Sequence, residues 1–321
     1  MIAGTAVAVG VAGAGCSAAP GLAYAQGATR PASLSSSKAV TAMVPASARA
    51  KIEPAGPVLD VAGAPKGVKA KAGILVDATT GQVLWAEGEN TERPIASITK
   101  VMAALVIIQA GGLNRKLAVP KAVTAYVAKW QANAAGLVPG QQFTVDELLH
   151  IMMVMSAADA AYTLANAYGP GLPAFIAKMN AEAAKLGMAH THFTSPDGLP
   201  YPTETSTFST PAELVRLGEV AMGYQEFRSI VRLRFYNLPK GDGHRAVSVT
   251  SDNALLADYA GAAGIKTGYT NSAGHTLLFE AVRHGRTLIG DVLGSPITGF
   301  ASGAQDAARV LNWGFSLKQS P

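Results

Sequence analysis

Cysteine is nearly absent from this chain: of 321 residues only Cys16 carries a thiol, so no intramolecular disulfide can form. Charge is sparse too, at 15% of residues, against about 25% in ordinary soluble domains. The charge that is present is unevenly placed. Residues 26–71 hold seven basic side chains (Arg30, Lys38, Arg49, Lys51, Lys66, Lys69, Lys71) and two acidic ones (Glu53, Asp60). They account for the whole net charge of +5 and leave residues 72–321 neutral. A nucleic-acid-binding protein would carry a basic face on a folded element, and this pattern excludes one. A basic tail is instead suited to anionic wall polymer or lipid head groups. Internal repeats are missing as well.

No residue from Met1 to Thr29 is charged, and MIAGTAVAVGVAGAG is small and apolar. This reads as residues 1–25 forming an export signal or N-terminal anchor, with Ala23-Tyr24-Ala25 as a cleavage site before Gln26. The positive n-region is lacking. Cys16 after Gly-Ala-Gly suggests lipidation, although Gly13 stands where a lipoprotein signal carries leucine. Cleaved, lipidated or retained, such a segment exports the rest of the chain. Residues 26–71, rich in Ala, Pro, Ser and Lys, have no sustained period and read as a flexible linker.

With 49% hydrophobic residues, the remainder can build a sizeable core. AGILVDA and QVLWA alternate as strands and are joined through Thr79-Thr80-Gly81, a hairpin. Helical periods dominate from Ser97 to about Met222; ELLHIMMVM and AFIAKMNAEAAKLGM are amphipathic, and TPAELVRLGEVAM starts on a Thr210 cap with Pro211 behind it. Then GIKTGYT, HTLLFEAV and RTLIGDVL return to the strand period, and SGAQDAARVLNWGF closes as a helix. Strands from both ends of residues 72–321 predict one antiparallel sheet of about five strands flanked by helices, with a separate helical lobe: an α/β fold of the α+β type.

One helix poses a chemical question. RPIASITKVM runs into VMAALVIIQAGG, apolar all round, so Lys100 is expected to be buried. A buried ammonium is costly unless it is paired or loses its proton. Ser97 and Lys100, three residues apart on one face, can meet. The positive end of the helix adds to the loss of hydration, and a neutral lysine beside a hydroxyl is a general base for a nucleophile. The short motif alone is unspecific: Ser35-Ser36-Ser37-Lys38 repeats it in the linker.

Ser-x-x-Lys opening a helix, a serine-centred second motif and Lys266-Thr267-Gly268 on a late strand is the order found in penicillin-recognising serine acyl-enzymes. More closely, AGILVDATTGQVLWAEGENTERPIASITKVM, ELLHIMMVMSAADAA, MNAEAAKLGMAHTHFTSPDGL, FSTPAELVRL and GIKTGYTNSAGHTLLFEA resemble the D-alanyl-D-alanine carboxypeptidase family of low-mass penicillin-binding proteins, over roughly residues 70–316. The resemblance implies a β-lactamase/transpeptidase-like fold. It also implies Ser97 as the acylated nucleophile, Lys100 as its base and Ser156 as a proton relay to the leaving amine. Lys266, Thr267, Gly268 and Tyr269 would line the substrate strand, Lys266 and Thr267 receiving the terminal carboxylate. The N–H groups of Ser97 and Tyr269 would form the oxyanion hole. Substrate would be a peptidoglycan stem peptide ending in D-Ala-D-Ala, with β-lactams as covalent inhibitors. No cofactor or metal is expected, since His190-x-His192 falls where relatives have a loop.

One departure stands out. The family's second motif is Ser-x-Asn; here it reads Ser156-Ala157-Ala158. Ser251-Asp252-Asn253 fits the tripeptide literally but lies only 13 residues before Lys266, where relatives carry a structural stretch. The missing amide leads to two expectations. Either the protein is a slow enzyme, or a degenerate peptide binder, that an asparagine at 158 would accelerate at least tenfold; or a nearby polar group or an ordered water has taken the amide's place, and the asparagine would be neutral or harmful by crowding. A transpeptidase remains an alternative to a carboxypeptidase. A glutamate motif of the class A β-lactamase type is absent, and tethering is expected at the N-terminal end.

Overall fold

The structure, a computed structural model, describes residues 63–299 and 301–318. The expected export signal and most of the linker lie outside them.

The chain starts with the expected hairpin, β1 (Ala72–Asp77) and β2 (Gln82–Glu87), followed by short β3 (Arg93–Pro94) and a 3₁₀ turn over Ala96–Ile98 that leads into α1 (Thr99–Ala110). A helical section comes next: β4 (Lys116–Ala118), α2 (Ala122–Trp130), β5 (Gln142–Thr144), α3 (Val145–Met155), α4 (Ala158–Tyr168) and α5 (Leu172–Lys185). Then come β6 (Phe208–Ser209), α6 (Pro211–Met222), α7 (Gln225–Val231), β7 (Phe235–Leu238), β8 (Val247–Thr250) and α8 (Ala254–Asp258). The chain returns to the sheet with β9 (Ala262–Thr270), β10 (Gly274–Arg283) and β11 (Arg286–Ser295), and α9 (Ser302–Ser316) closes it.

The main sheet is antiparallel and five-stranded, in the order β2-β1-β11-β10-β9, so strands from both ends of the domain meet where Ile74 pairs with Asp291. Alternation along β11 sends Leu288 and Val292 into a small core with Leu75, Phe279 and α9 residues Val310 and Leu311. Ile289 and Leu293 point the other way, into the large core shared with α1, α3, α4, α5, α6 and α7. α1 is buried nearly all round, as its sequence requires, and ends at Gly111. The methionines of α3 fill this core: Met152 and Met153 are buried and Met155 packs against it.

The linker boundary differs from expectation at its C-terminal end. Ala70 is buried and Val68 packs beside it; Lys71 N donates to Leu293 O at 2.8 Å and Lys69 N to Asp306 Oδ1 at 3.1 Å. The hydrogen bonds run through the backbone, and the alternation Val68-Lys69-Ala70-Lys71-Ala72 is a short period-two run of small apolar residues and lysine directly ahead of β1.

Two features shape the space between the sheet and the helices. β9 is an edge strand, leaving one row of backbone groups unpaired. α3 starts on a capping box, Thr144 Oγ1 accepting from Glu147 N while Glu147 accepts from Thr144 N, and stops at Ser156, whose φ of 65° is left-handed. That corner turns the chain directly into α4.

Candidate active site

A groove of about 930 Å³ lies between edge strand β9 and the helical lobe. Ser97 and Lys100 lie at its floor; Ser156 and Ala158 are on one wall, and Thr267, Gly268 and Tyr269 on the other. Trp130, Asn133, Leu199, Glu204, Asp252 and His275 also line it.

Ser97 sits in the 3₁₀ turn, half-buried, just after Ala96, whose φ of 47° is left-handed. Such a conformation persists only where surrounding packing over-determines it. Gly198 is part of that packing: a Cβ there would lie 1.9 Å from Ala96 O, so residue 198 must be glycine for the loop to touch the turn. Lys100 is 2% exposed, and its Nζ lies 2.9 Å from Ser97 Oγ and donates to Asp197 O at 2.7 Å. Burial lowers its pKa from the ordinary lysine value to about 8, with the charges of Asp197 and Asp252 partly opposing the shift.

The Ser195-Pro196-Asp197-Gly198 loop therefore holds the lysine through a backbone carbonyl. It is braced in turn: Gly198 N donates to Ser195 Oγ at 2.9 Å, and Tyr126 donates its hydroxyl to the Asp197 carboxylate at about 3 Å. Burial and that carboxylate push the Tyr126 pKa up, so it stays a donor. Sequence reasoning gave Asp197 and Tyr126 no role; the turn signature Ser-Pro-Asp-Gly was the available signal.

On the strand side, Gly268 backs onto the turn that carries Ser97. A Cβ at 268 would lie 3.0 Å from Ser97 N, 2.9 Å from Ile95 O and 2.5 Å from Thr276 Oγ1. Any larger residue would push β9 away from Ser97. Lys266 lies behind this wall, 2% exposed, donating to Thr267 O at 3.1 Å. Burial first, then the charge of Lys100, lower its pKa to about 7, against the attraction of Asp252. Two lysines thus share one desolvated region. The Asp252 carboxyl, which attracts both, is itself raised by burial, although both lysines favour its ionised form.

Ser156 is 7% exposed and its Oγ has no hydrogen-bond partner among the described residues, while it lines the groove. An unsatisfied buried hydroxyl on a residue that lines a cleft is available for a ligand. The alternative triplet is not brought there as a unit. Asn253 Oδ1 caps α8 through Leu255 N, Ser251 Oγ accepts from Asn253 N, and only Asp252 lines the groove. His190 and His192 also lie elsewhere: His190 Nδ1 faces Glu92, and His192 packs against Phe208. Trp85 is buried in the small core, whereas Trp130 forms the groove rim with Tyr201.

The chain has known relatives in sequence and in fold. The D-alanyl-D-alanine carboxypeptidase family profile matches residues 60–296. The chain is 36% identical over 262 residues to a D-alanyl-D-alanine carboxypeptidase of Streptomyces sp. strain K15, covering 78% of this chain and 88% of that one. It is 37% identical over 273 residues to the D-alanyl-D-alanine carboxypeptidase DacB2 of Mycobacterium tuberculosis, covering 84% and 89%. Among solved structures, the Streptomyces K15 DD-transpeptidase superposes with a TM-score of 0.74 at 34% identity, over 79% of this chain and all of that one. With a family match over residues 60–296 and relatives more than a third identical across more than two thirds of its length, the chain belongs to the D-alanyl-D-alanine carboxypeptidase family.

Proposed function

We propose that this protein is a serine-type D-Ala-D-Ala carboxypeptidase that trims peptidoglycan stem peptides through an acyl-enzyme on Ser97, and that β-lactams acylate the same serine. The observation carrying this is the 2.9 Å contact between Ser97 Oγ and a buried Lys100 of lowered pKa, beside an unpaired strand edge. An extended peptide adds to the β9 edge, its terminal carboxylate directed to Lys266 and Thr267. Neutral Lys100 takes the Ser97 proton as Oγ attacks the carbonyl of the penultimate D-alanine. The N–H groups of Ser97 and Tyr269 receive the oxyanion. The Ser156 hydroxyl passes a proton to the leaving amine, the C–N bond breaks and D-alanine departs. Water then cleaves the ester.

Substrate binding favours the base. A carboxylate near Lys266 holds a proton on that lysine, and the resulting charge pushes the Lys100 pKa further down. Since the substrate is a wall polymer, the protein acts outside the cytoplasm, with the apolar N-terminal segment as its export signal or anchor. The basic segment after it provides wall or membrane association.

Labelling with a fluorescent penicillin and mapping the modified peptide tests this reading; a label anywhere but Ser97 overturns it. Release of D-alanine from an N-acylated D-Ala-D-Ala peptide then separates a working enzyme from a binder that only acylates. Because one matched structure is named a DD-transpeptidase, the release assay is repeated with an acceptor amine. Product joined to the amine in place of free acid would assign transpeptidation.

A further inference from the structure

Ala158 contributes a methyl to the groove wall where the family's second motif carries an amide. The residue bound to it is an asparagine. Ala158 N donates to Asn133 O at 2.8 Å, and the Asn133 side chain donates through Nδ2 to Met155 O at 2.6 Å. Asn133 therefore touches both the last residue of α3 and the first of α4, bracketing Ser156. It too lines the groove.

Only one N–H of that side-chain amide is engaged. Its second N–H and its Oδ1 make no hydrogen bond to the described residues, and the side chain is exposed. The segment carrying it is fixed to the same corner. The Asp159 carboxylate accepts from Ala135 N at 3.1 Å and Leu137 N at 2.8 Å, while Arg245 donates to the carbonyls of Ala135 and Gly136, both at 3.0 Å. A braced loop presenting a half-free amide beside an unpartnered serine is pre-organised for a ligand, with the ordering cost met on folding.

We propose that Asn133 supplies the wall amide that Ser156-Ala157-Ala158 lacks, donating its free N–H to the backbone carbonyl on the acyl side of the bound stem peptide, or to the acylamino carbonyl of a penicillin. The amide has moved from α4 to the neighbouring loop. This deepens the acyl-enzyme reading and rests on it. Asn133 is a substrate-positioning residue: it orients the scissile carbonyl over Ser97 and takes no proton.

The test compares acylation by a fluorescent penicillin in wild type, Asn133→Ala, Ala158→Asn and the double variant, with thermal melting of each. Asn133→Ala slows acylation at least tenfold, on the order of a single lost pre-organised donor. Ala158→Asn alone brings no gain, because the place is already filled. In the Asn133→Ala background, Ala158→Asn restores most of the lost rate. The Met155 contact stays broken in both Asn133→Ala proteins, so the melting temperature of the double variant does not recover. Rate recovery without recovery of melting temperature is an outcome that a purely structural helix cap cannot give. An Asn133→Ala protein that acylates at the wild-type rate, or a double variant no faster than Asn133→Ala, overturns the proposal. Wild type that fails to label at Ser97 overturns the acyl-enzyme reading and this proposal together. Wild type that labels while the variants behave otherwise overturns this proposal alone.

Discussion

At the scale of single residues, Ser97 and Lys100 divide chemistry from packing. Ser97 is half-buried and, among the described residues, its hydroxyl bonds only Lys100, so Ser97→Ala should abolish penicillin labelling while leaving the melting temperature nearly unchanged. Retained covalent label would assign the nucleophile elsewhere. Lys100→Ala should also stop acylation, with stability kept or raised, because a desolvated ammonium is removed. The two lysines further dictate a pH profile. In the proposed mechanism the base must be neutral, so the second-order acylation constant rises as Lys100 loses its proton near 8; the proposed carboxylate partner must be charged, so the constant falls as Lys266 loses its own near 7. The product of these demands is a narrow bell with its maximum between the two values, and the apparent constants belong to the coupled pair. Lys266→Arg, which does not titrate in this range, should leave the rising limb and remove the falling one. A rate flat from about one pH unit below the lower value to one above the higher would contradict the assignment of both lysines.

At the scale of elements, the most exposed weakness is in β11. Asp291 sits mid-strand between Ile74 and Leu278, 0% exposed, and neither carboxyl oxygen finds a donor among the described residues. Burial holds its pKa well above the ordinary carboxylate value, so the folded state keeps a proton that the unfolded chain releases from about pH 4 upward. Stability must then fall as pH rises, by about 1.4 kcal/mol per pH unit, until the buried group ionises. Asp291→Asn removes this slope. Denaturant melts from about pH 5 to 8 should show the variant gaining on wild type at each step, and parallel curves would mean that Asp291 has found a partner. The elements also mark the limit of sequence reading. Ser-x-x-Lys, Lys-Thr-Gly, the β1–β2 hairpin and the buried α1 are legible because each is local, written in adjacent residues or one period. The grip of Asp197 on Lys100 spans 97 positions and runs through a carbonyl every residue possesses. Asn133 lies 22 residues before Met155 and gains meaning only when the α3–α4 corner folds against its loop. Nothing in either stretch alone points to the other.

At the scale of the whole molecule, the question is where the folded unit begins. Composition puts the boundary after residue 71, because Ala, Pro and Lys there show no sustained period. The contacts put it earlier: Val68 and Ala70 complete the small core, and the backbones of Lys69 and Lys71 bond to Asp306 and Leu293. The Asp306 carboxylate would keep Ser295 and Arg309 as partners without Lys69, so losing this segment weakens the α9 side of the sheet without stranding a buried charge. Two hydrogen bonds at roughly 0.5–1.5 kcal/mol each amount to about 1–3 kcal/mol, before the small apolar area is added. In a domain of this size that corresponds to a drop of roughly 3–10 °C in melting temperature. A protein starting at residue 63 should therefore melt like the full chain. One starting at residue 72 should melt several degrees lower, yet acylate at the same rate, because its lost contacts lie on the α9 side of the sheet and Ser97 lies on the other. Equal melting of the two truncated forms would return residues 63–71 to the linker. Loss of acylation in the shorter form, measured well below its melting temperature, would mean that this face of the sheet helps to hold the groove in shape.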